Sequence, residues 1–298
     1  MPKKQQAGII IIVGPTASGK SDLAIKIARK LKGEIISADS RQVYKGMDIG
    51  TGKVSREERR MTKHHLIDIA SPKKVFTADN FKKYGQRAID EIIAKDKQPI
   101  IVGGTGFYID TLLGKITTPL VPPNPKLRKE LEKKSLESLL RTLEKLDPER
   151  FNNIDRKNKR RIIRAIEIIK TTGKPVPKLE PKESEYKIIW LGIKINKLKL
   201  EKNIETRLKK RFKMGMINEV KKLIDSGVSH KRLEDLGLEY RYISRFLKGQ
   251  INKKELSEQL FLEIKRYSKR QATWFKKNKE INWISNYSEA LAILKNRL

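Results

Sequence analysis

Residues 8–32 read GIIIIVGPTASGKSDLAIKIARKLK, and this stretch decides the fold. Gly8 to Val13 is a continuous apolar run, the pattern of a strand buried on both faces of a parallel sheet. Ser21 to Lys32 places Leu23, Ala24, Ile27, Ala28 and Leu31 on one helical face. Between them, Gly14-Pro15-Thr16-Ala17-Ser18-Gly19-Lys20-Ser21 matches G-x-x-x-x-G-K-[ST], in the strand–turn–helix context that a phosphate-binding P-loop needs. Gly14 and Gly19 let backbone N–H groups turn inward around an anion, and the helix N-terminus adds its dipole. Lys20 contributes a charge that can follow a leaving phosphate, and Ser21 is the expected Mg²⁺ ligand.

The strand–helix alternation continues outward. Glu34 to Ser37 reads as a second strand, Phe81 to Ala94 as a helix, and Gln98 to Val102 as another buried strand. Repeats of this kind predict a doubly wound α/β core with a parallel sheet and right-handed crossovers. Residues 117–125 (TTPLVPPNP) hold four prolines and read as a linker. From Lys126 to Thr172 every stretch reads as basic helix, and Tyr186 to Ile195 is again strand-like. From Lys199 on, the pattern is helical. The expected organisation is a P-loop α/β core over 1–118, an all-helical insertion over 119–185, and core completion with basic C-terminal helices over 186–298.

Composition narrows the function classes. The 298 residues carry 68 Lys and Arg against 35 Asp and Glu, a net charge of +33. Such a surplus favours nucleic acid, an anionic membrane or an acidic substrate, although a Lys-rich genome also produces it. Cysteine is absent, which removes disulfides and thiolate chemistry, and three histidines make a His-based metal site a poor expectation. No apolar run is long enough to span a bilayer and no signal peptide is legible, so a cytoplasmic protein with no membrane partner, acting as a monomer, is expected.

The P-loop alone does not name its ligand. A P-loop NTPase carries a metal-holding acid at the end of another strand. The obvious strand here ends IIVGGT (Ile100 to Thr105) with no acid; the nearest one at a strand end is Asp39. A diphosphate in the loop therefore fits better than a complete ATPase, while an ATP-binding P-loop kinase acting on a nucleotide or a small molecule stays open as the alternative.

Four blocks in order, GPTASGKS, ISADSRQVYKGMDIGTGK (Ile36 to Lys53), HHLIDI (His64 to Ile69) and IIVGGTGFYI (Ile100 to Ile109), resemble the bacterial tRNA dimethylallyltransferases, the tRNA isopentenyl-diphosphate transferase family. DRKNKRRIIRAIE (Asp155 to Glu167), RLKKRFKMGMINEV (Arg207 to Val220) and RYSKRQATWFKK (Arg266 to Lys277) fit the same family. Two departures stand out: Leu236-Gly-Leu-Glu-Tyr-Arg241 replaces an A-I-G-Y-K-E-like stretch, and Arg160-Arg161 replaces Gln-Arg. The resemblance implies transfer of a dimethylallyl group from its diphosphate to N6 of adenosine 37 in tRNAs reading codons that begin with U, assisted by Mg²⁺.

Under that resemblance the residues take roles. The adenine amine is a weak nucleophile, and Asp39 is the candidate general base; the competing assignment is a Mg²⁺ ligand or helix N-cap. Thr105, after two glycines at a strand end, is the candidate donor to the bridging oxygen, or else a helix N-cap. Arg211 matches the family's phosphate-contacting arginine, or else is a solvated helix charge. The stretch Asp39, Ser40, Arg41 and Gln42, together with Thr105 and Arg128, is implied to touch the tRNA. Two basic segments suit RNA contact: Asp155 to Arg164, with Arg160, Arg161 and Arg164, and Glu263 to Lys279, with Arg270. Tyr267 and Trp274 share a helical face and read as core rather than stacking platforms. His64 and His65, ahead of a strand-like LIDI, read as structural.

Overall fold

The computed structural model describes residues 8–117, 119, 121–177, 184 and 186–297. Two compact units divide it, residues 115–182 forming the smaller.

The larger unit starts with β1 (Gly8–Val13), α1 (Lys20–Lys30), β2 (Glu34–Ser37), α2 (Arg56–Met61), β3 (His64–His65), α3 (Ala78–Ile93), β4 (Pro99–Gly103) and α4 (Gly106–Leu112). All strands pair in parallel in the order β3-β2-β4-β1, and the sheet continues from β1 to the late strands named below. The P-loop strand is thus central, with Ile12 opposite Val102 of β4. Its isoleucines split between the two faces as a period of two requires. Ile9 and Ile11 pack with Phe81, Ile89 and Ile92 of α3, whereas Ile10 and Ile12 pack with Ala24, Ile27 and Ala28 of α1. Each buried isoleucine of β1 contributes about 1.5–3 kcal/mol relative to exposure, which is why the run has no polar position.

The smaller unit holds α5 (Pro125–Glu132), α6 (Leu136–Leu146), α7 (Pro148–Asn153) and α8 (Lys159–Thr172) around Leu131, Leu139, Leu143, Ile162 and Ile166. The basic stretch that reads as uninterrupted helix is cut by its own caps. Ser135, Asp147 and Asn158 each accept an N–H from the following turn, and Pro148 opens α7. The family-like segment from Asp155 is therefore helical only from Lys159.

The chain returns through β5 (Lys187–Ile193), which pairs with β1. Then follow α9 (Lys197–Lys213), α10 (Met216–Asp225), α11 (His230–Leu236), α12 (Leu238–Leu247), α13 (Lys253–Lys276), β6 (Asn282–Ile284) and α14 (Tyr287–Lys295). Helices α9 to α13 build a core of their own, with Leu208, Val220, Tyr240 and Leu260 packed against Val43, Tyr44 and Met47.

Two local expectations need correction. The strand lies on His64–His65 itself, not on LIDI, because Leu66 and Asp68 adopt φ near +60° and cannot extend. Asp68 is turned to receive Lys53 Nζ and Arg59 at 2.5 and 2.9 Å. The C-terminal part is also not all helical, since β6 pairs with β5 at the sheet edge.

Candidate active site

A cavity of about 520 Å³ opens at the carboxyl ends of β1, β2 and β4, where a doubly wound sheet places its ligand. The P-loop, Asp39, Gly103, Gly104, Arg207, Tyr267 and Gln271 line it, among others.

The loop is built to meet an anion. Gly19, at φ +91°, occupies the N-cap position of α1, and no side chain caps the helix among the described residues, which leaves its first N–H groups for an anion. Ser18 Oγ is buried and has no hydrogen-bond partner among the described residues. Lys20 Nζ folds back onto the Pro15 carbonyl at 2.6 Å. Burial, then the charge of Arg207, lowers the Lys20 ammonium to about 7, while Asp39 pulls the other way. A cation with its pKa so depressed and a serine oxygen without a partner are what a phosphate group would relieve.

Asp39 follows β2 and closes a turn. Its Oδ1 accepts the N–H groups of Arg41 and Gln42 at 2.8 and 3.3 Å, so it caps a loop and not a helix. Its Oδ2 accepts no hydrogen bond among the described residues. Thr105 stands at the N-cap position of α4, yet its hydroxyl does not cap that helix. Instead Thr105 Oγ1 accepts Ser40 N–H at 3.1 Å, which couples the end of β4 to the Asp39 turn. Gln42 reaches across to the Gly52 carbonyl at 3.3 Å.

Arg211 is not a solvated charge. It is largely buried, donating to the Gly50 carbonyl at 2.9 Å and to Glu239 at 2.8 Å. It lines a small adjoining cavity together with Asp39, Arg41 and Tyr267. Burial pushes the Glu239 carboxyl up even with Arg211 against it. One turn earlier on α9, Arg207 faces the main cavity, its guanidinium lowered to about 10 by burial and by Arg211.

An IPP transferase model matches residues 42–278. This chain belongs to the IPP transferase family. A tRNA dimethylallyltransferase 2 of Shewanella sediminis is 41% identical over 297 residues, spanning 96% of this chain and 97% of that relative. The solved tRNA isopentenylpyrophosphate transferase of Bacillus halodurans is 33% identical with a TM-score of 0.73, covering 98% of this chain and 95% of that one. A eukaryotic dimethylallyltransferase solved while acting on tRNA gives a TM-score of 0.78 at 25% identity, covering 98% and 77%.

This IPP transferase brings Thr16 to Ser21, Asp39, Arg41, Gln42 and Arg211 of its larger unit around the two adjoining cavities, whereas Gly14, Pro15, Ser40 and Thr105 lie beside them in the chain and outside the lining. Arg270, on the same unit, is exposed, pairs with Glu263 at 3.0 Å and lies over the Tyr267 ring. Arg128, Arg160, Arg161 and Arg164 belong to the smaller unit. There Arg160 and Arg161 are exposed at the start of α8. Arg128 and Arg164 are instead fastened to Glu167, whose side chain is fully buried.

Sequence reading missed Arg207, Asn203 and Gln271, and took Tyr267 as plain core. Asn203 donates to the Ala17 carbonyl at 3.0 Å. Tyr267 faces the Thr105 hydroxyl, and burial lifts its phenol to about 12. The one available signal was spacing: 203, 207 and 211 recur every four residues on α9, as 267 and 271 do on α13.

Proposed function

We propose that this IPP transferase moves the dimethylallyl group of dimethylallyl diphosphate onto N6 of adenosine 37 in the anticodon loop of tRNAs that read codons beginning with U. Pyrophosphate is the other product. The observation that carries the reading is the pairing of an anion cradle with a carboxylate across one cavity: Ser18, Lys20 and Arg207 on one side, the open Oδ2 of Asp39 on the other.

The chemistry balances on these groups. The allylic C–O bond breaks and its electrons go to the diphosphate, where Lys20, Ser18 Oγ, Arg207 and the α1 N–H groups stabilise the growing charge. The new C–N bond forms as Asp39 Oδ2 takes a proton from the amine. Thr105, tied to Ser40, holds the Asp39 turn in register with the cradle. Arg211 completes the charge balance from the adjoining cavity. Ser21 lines the cavity with its hydroxyl free of hydrogen bonds among the described residues, and it offers an oxygen donor of the kind Mg²⁺ prefers. No three acidic or histidine side chains among the described residues form a metal cage, so such an ion would draw its remaining ligands from the diphosphate and water. When bound, it would neutralise charge on the departing group.

The tRNA side of the proposal rests on the +33 charge and on Arg41, Arg128, Arg160, Arg161, Arg164 and Arg270 as phosphate and loop contacts. One chain supplies every group around the cavity, so a monomer suffices, and a tRNA substrate suits the cytoplasm. Mass spectrometry of tRNA incubated with dimethylallyl diphosphate tests the reading. A gain of one C5H8 unit at the adenosine beside the anticodon is expected. Unmodified RNA, or phosphoryl transfer from ATP to a nucleotide acceptor at an enzyme-like rate, would overturn it.

A further inference from the structure

Gln271 is buried on α13 and uses both ends of its amide. Its Oε1 accepts the Thr16 N–H at 2.8 Å, and its Nε2 donates to the Gly104 carbonyl at 2.9 Å. Neither partner can be exchanged: an N–H needs the oxygen and a carbonyl needs the nitrogen. The contact is close, because a Cβ on Gly104 would collide with the amide. Neighbours on the same helical face grip the same segment. Tyr267, one turn back, faces the Thr105 hydroxyl, and Trp274 donates to Asp110 of α4 at 2.9 Å while packing onto Gly106. Of these three, Gln271 alone also holds the P-loop.

We propose that Gln271 is a positioning residue that fixes the separation between the P-loop and the Gly104–Thr105 turn, and so aligns the leaving diphosphate with the acceptor side of the cavity. The link runs on without a gap, from Gly104 to Thr105, from the Thr105 hydroxyl to Ser40 N–H, and from Ser40 to Asp39. Gln271 also consumes the Thr16 N–H, which leaves the outward donors of Ser18 to Ser21 for the anion. Displacing reacting groups by about 1 Å costs on the order of 100-fold in rate, so a side chain whose amide is spent on two backbone partners can still govern turnover. A glutamate at this position keeps the acceptor for Thr16 but faces the Gly104 carbonyl with a second acceptor and adds negative charge behind the cradle.

The inference rests on the proposed prenyl transfer. The test compares Gln271→Leu and Gln271→Glu with the unaltered chain, measuring kcat and KM for both substrates, melting temperature, and tRNA Kd by filter binding. Both variants should lose about 10- to 100-fold in kcat while tRNA Kd stays within about twofold, since the exposed cations of α13 are untouched. Gln271→Glu should also raise KM for the diphosphate. Where the leucine variant fails to fold, the near-isosteric glutamate variant carries the test. A folded variant with kcat within twofold of the unaltered chain, or one whose tRNA Kd worsens in step with kcat, overturns the proposal. If the unaltered chain attaches no prenyl group, the functional reading falls instead.

Discussion

Diphosphate binding should take up a proton at Lys20, and its strength should therefore depend on pH. In the free protein this ammonium sits at about 7 against an ordinary 10.5, because it is desolvated beside Arg207 with only Asp39 to offset them. The difference of 3.5 units corresponds to about 5 kcal/mol as an upper limit, at 1.36 kcal/mol per unit. The sign is that of a lowered lysine. Below pH 7 the folded protein carries the charge at a cost, and that cost fades as pH rises from 7 towards 10.5. A bound diphosphate reverses the cost and draws the proton back on. At pH 7 half of the free protein is protonated at Lys20, and at pH 9 about one part in a hundred, so affinity should fall about 50-fold between them. Isothermal titration calorimetry of dimethylallyl diphosphate in buffers of different ionisation enthalpy reads the proton directly. Uptake should approach half a proton at pH 7 and nearly one at pH 8.5, and Lys20→Met should abolish both uptake and slope. Affinity that stays level from pH 7 to 9, with no proton uptake in the unaltered chain, would refute the electrostatics argued for the cradle.

Asp39→Asn keeps an oxygen for the Arg41 and Gln42 N–H groups, so the turn persists while the base is lost; kcat should fall by 10²–10⁴, and a loss under about tenfold in single-turnover assays would remove Asp39 from that role. The same substitution withdraws the charge that supports the Lys20 ammonium, so the pH midpoint of diphosphate binding should move below 7. Glu167→Ala removes the buried acceptor of Arg128 and Arg164, both of which still reach solvent; urea unfolding should show a loss of about 1.5–3 kcal/mol, and an unchanged midpoint would mean the clamp contributes nothing. The affinity for tRNA should drop about 10³-fold or more between 50 and 200 mM salt, and a response within tenfold in filter binding would count against a phosphate-dominated interface.

What could be read from the chain depended on whether the signal was local. β1, the P-loop and α1 were legible because burial on two faces, glycine at the turn and helical period all lie within 25 consecutive residues. β6 was not, since three residues at a sheet edge carry no period, and Trp283 of β6 is left half exposed. LIDI misled because Leu66 and Ile67 look like strand, whereas the ion pairs of Asp68 with Lys53 and Arg59 hold a left-handed turn. Asp39 and Thr105 could be named, but not the hydrogen bond between Ser40 and Thr105 that couples them across 65 positions. Gln271 was silent for the same reason, as it lies 255 positions from Thr16. Glu167, by contrast, gave a sign that went unread: a carboxylate three residues after Arg164, on the apolar side of α8, has to be paired.

The missing strand-end acid has a steric cause as well as a chemical one. β2 and β4 converge so closely at their carboxyl ends that a Cβ on Gly103 would strike the Ala38 carbonyl, and one on Gly104 would strike Gln271. Thr105 N–H donates to that same Ala38 carbonyl at 3.2 Å, which cinches the two strands together. Any side chain at 103 or 104, an aspartate included, would have to open this junction. The position from which a P-loop NTPase holds its metal is thus filled by backbone. Past β4 the chain offers only the neutral hydroxyl of Thr105, turned to Ser40 N–H, and the carboxylate that lines the cavity is Asp39, just after β2. On the proposed reading, an acid there takes a proton from the incoming amine. On that same reading, the cradle that elsewhere serves phosphoryl transfer releases a diphosphate from carbon.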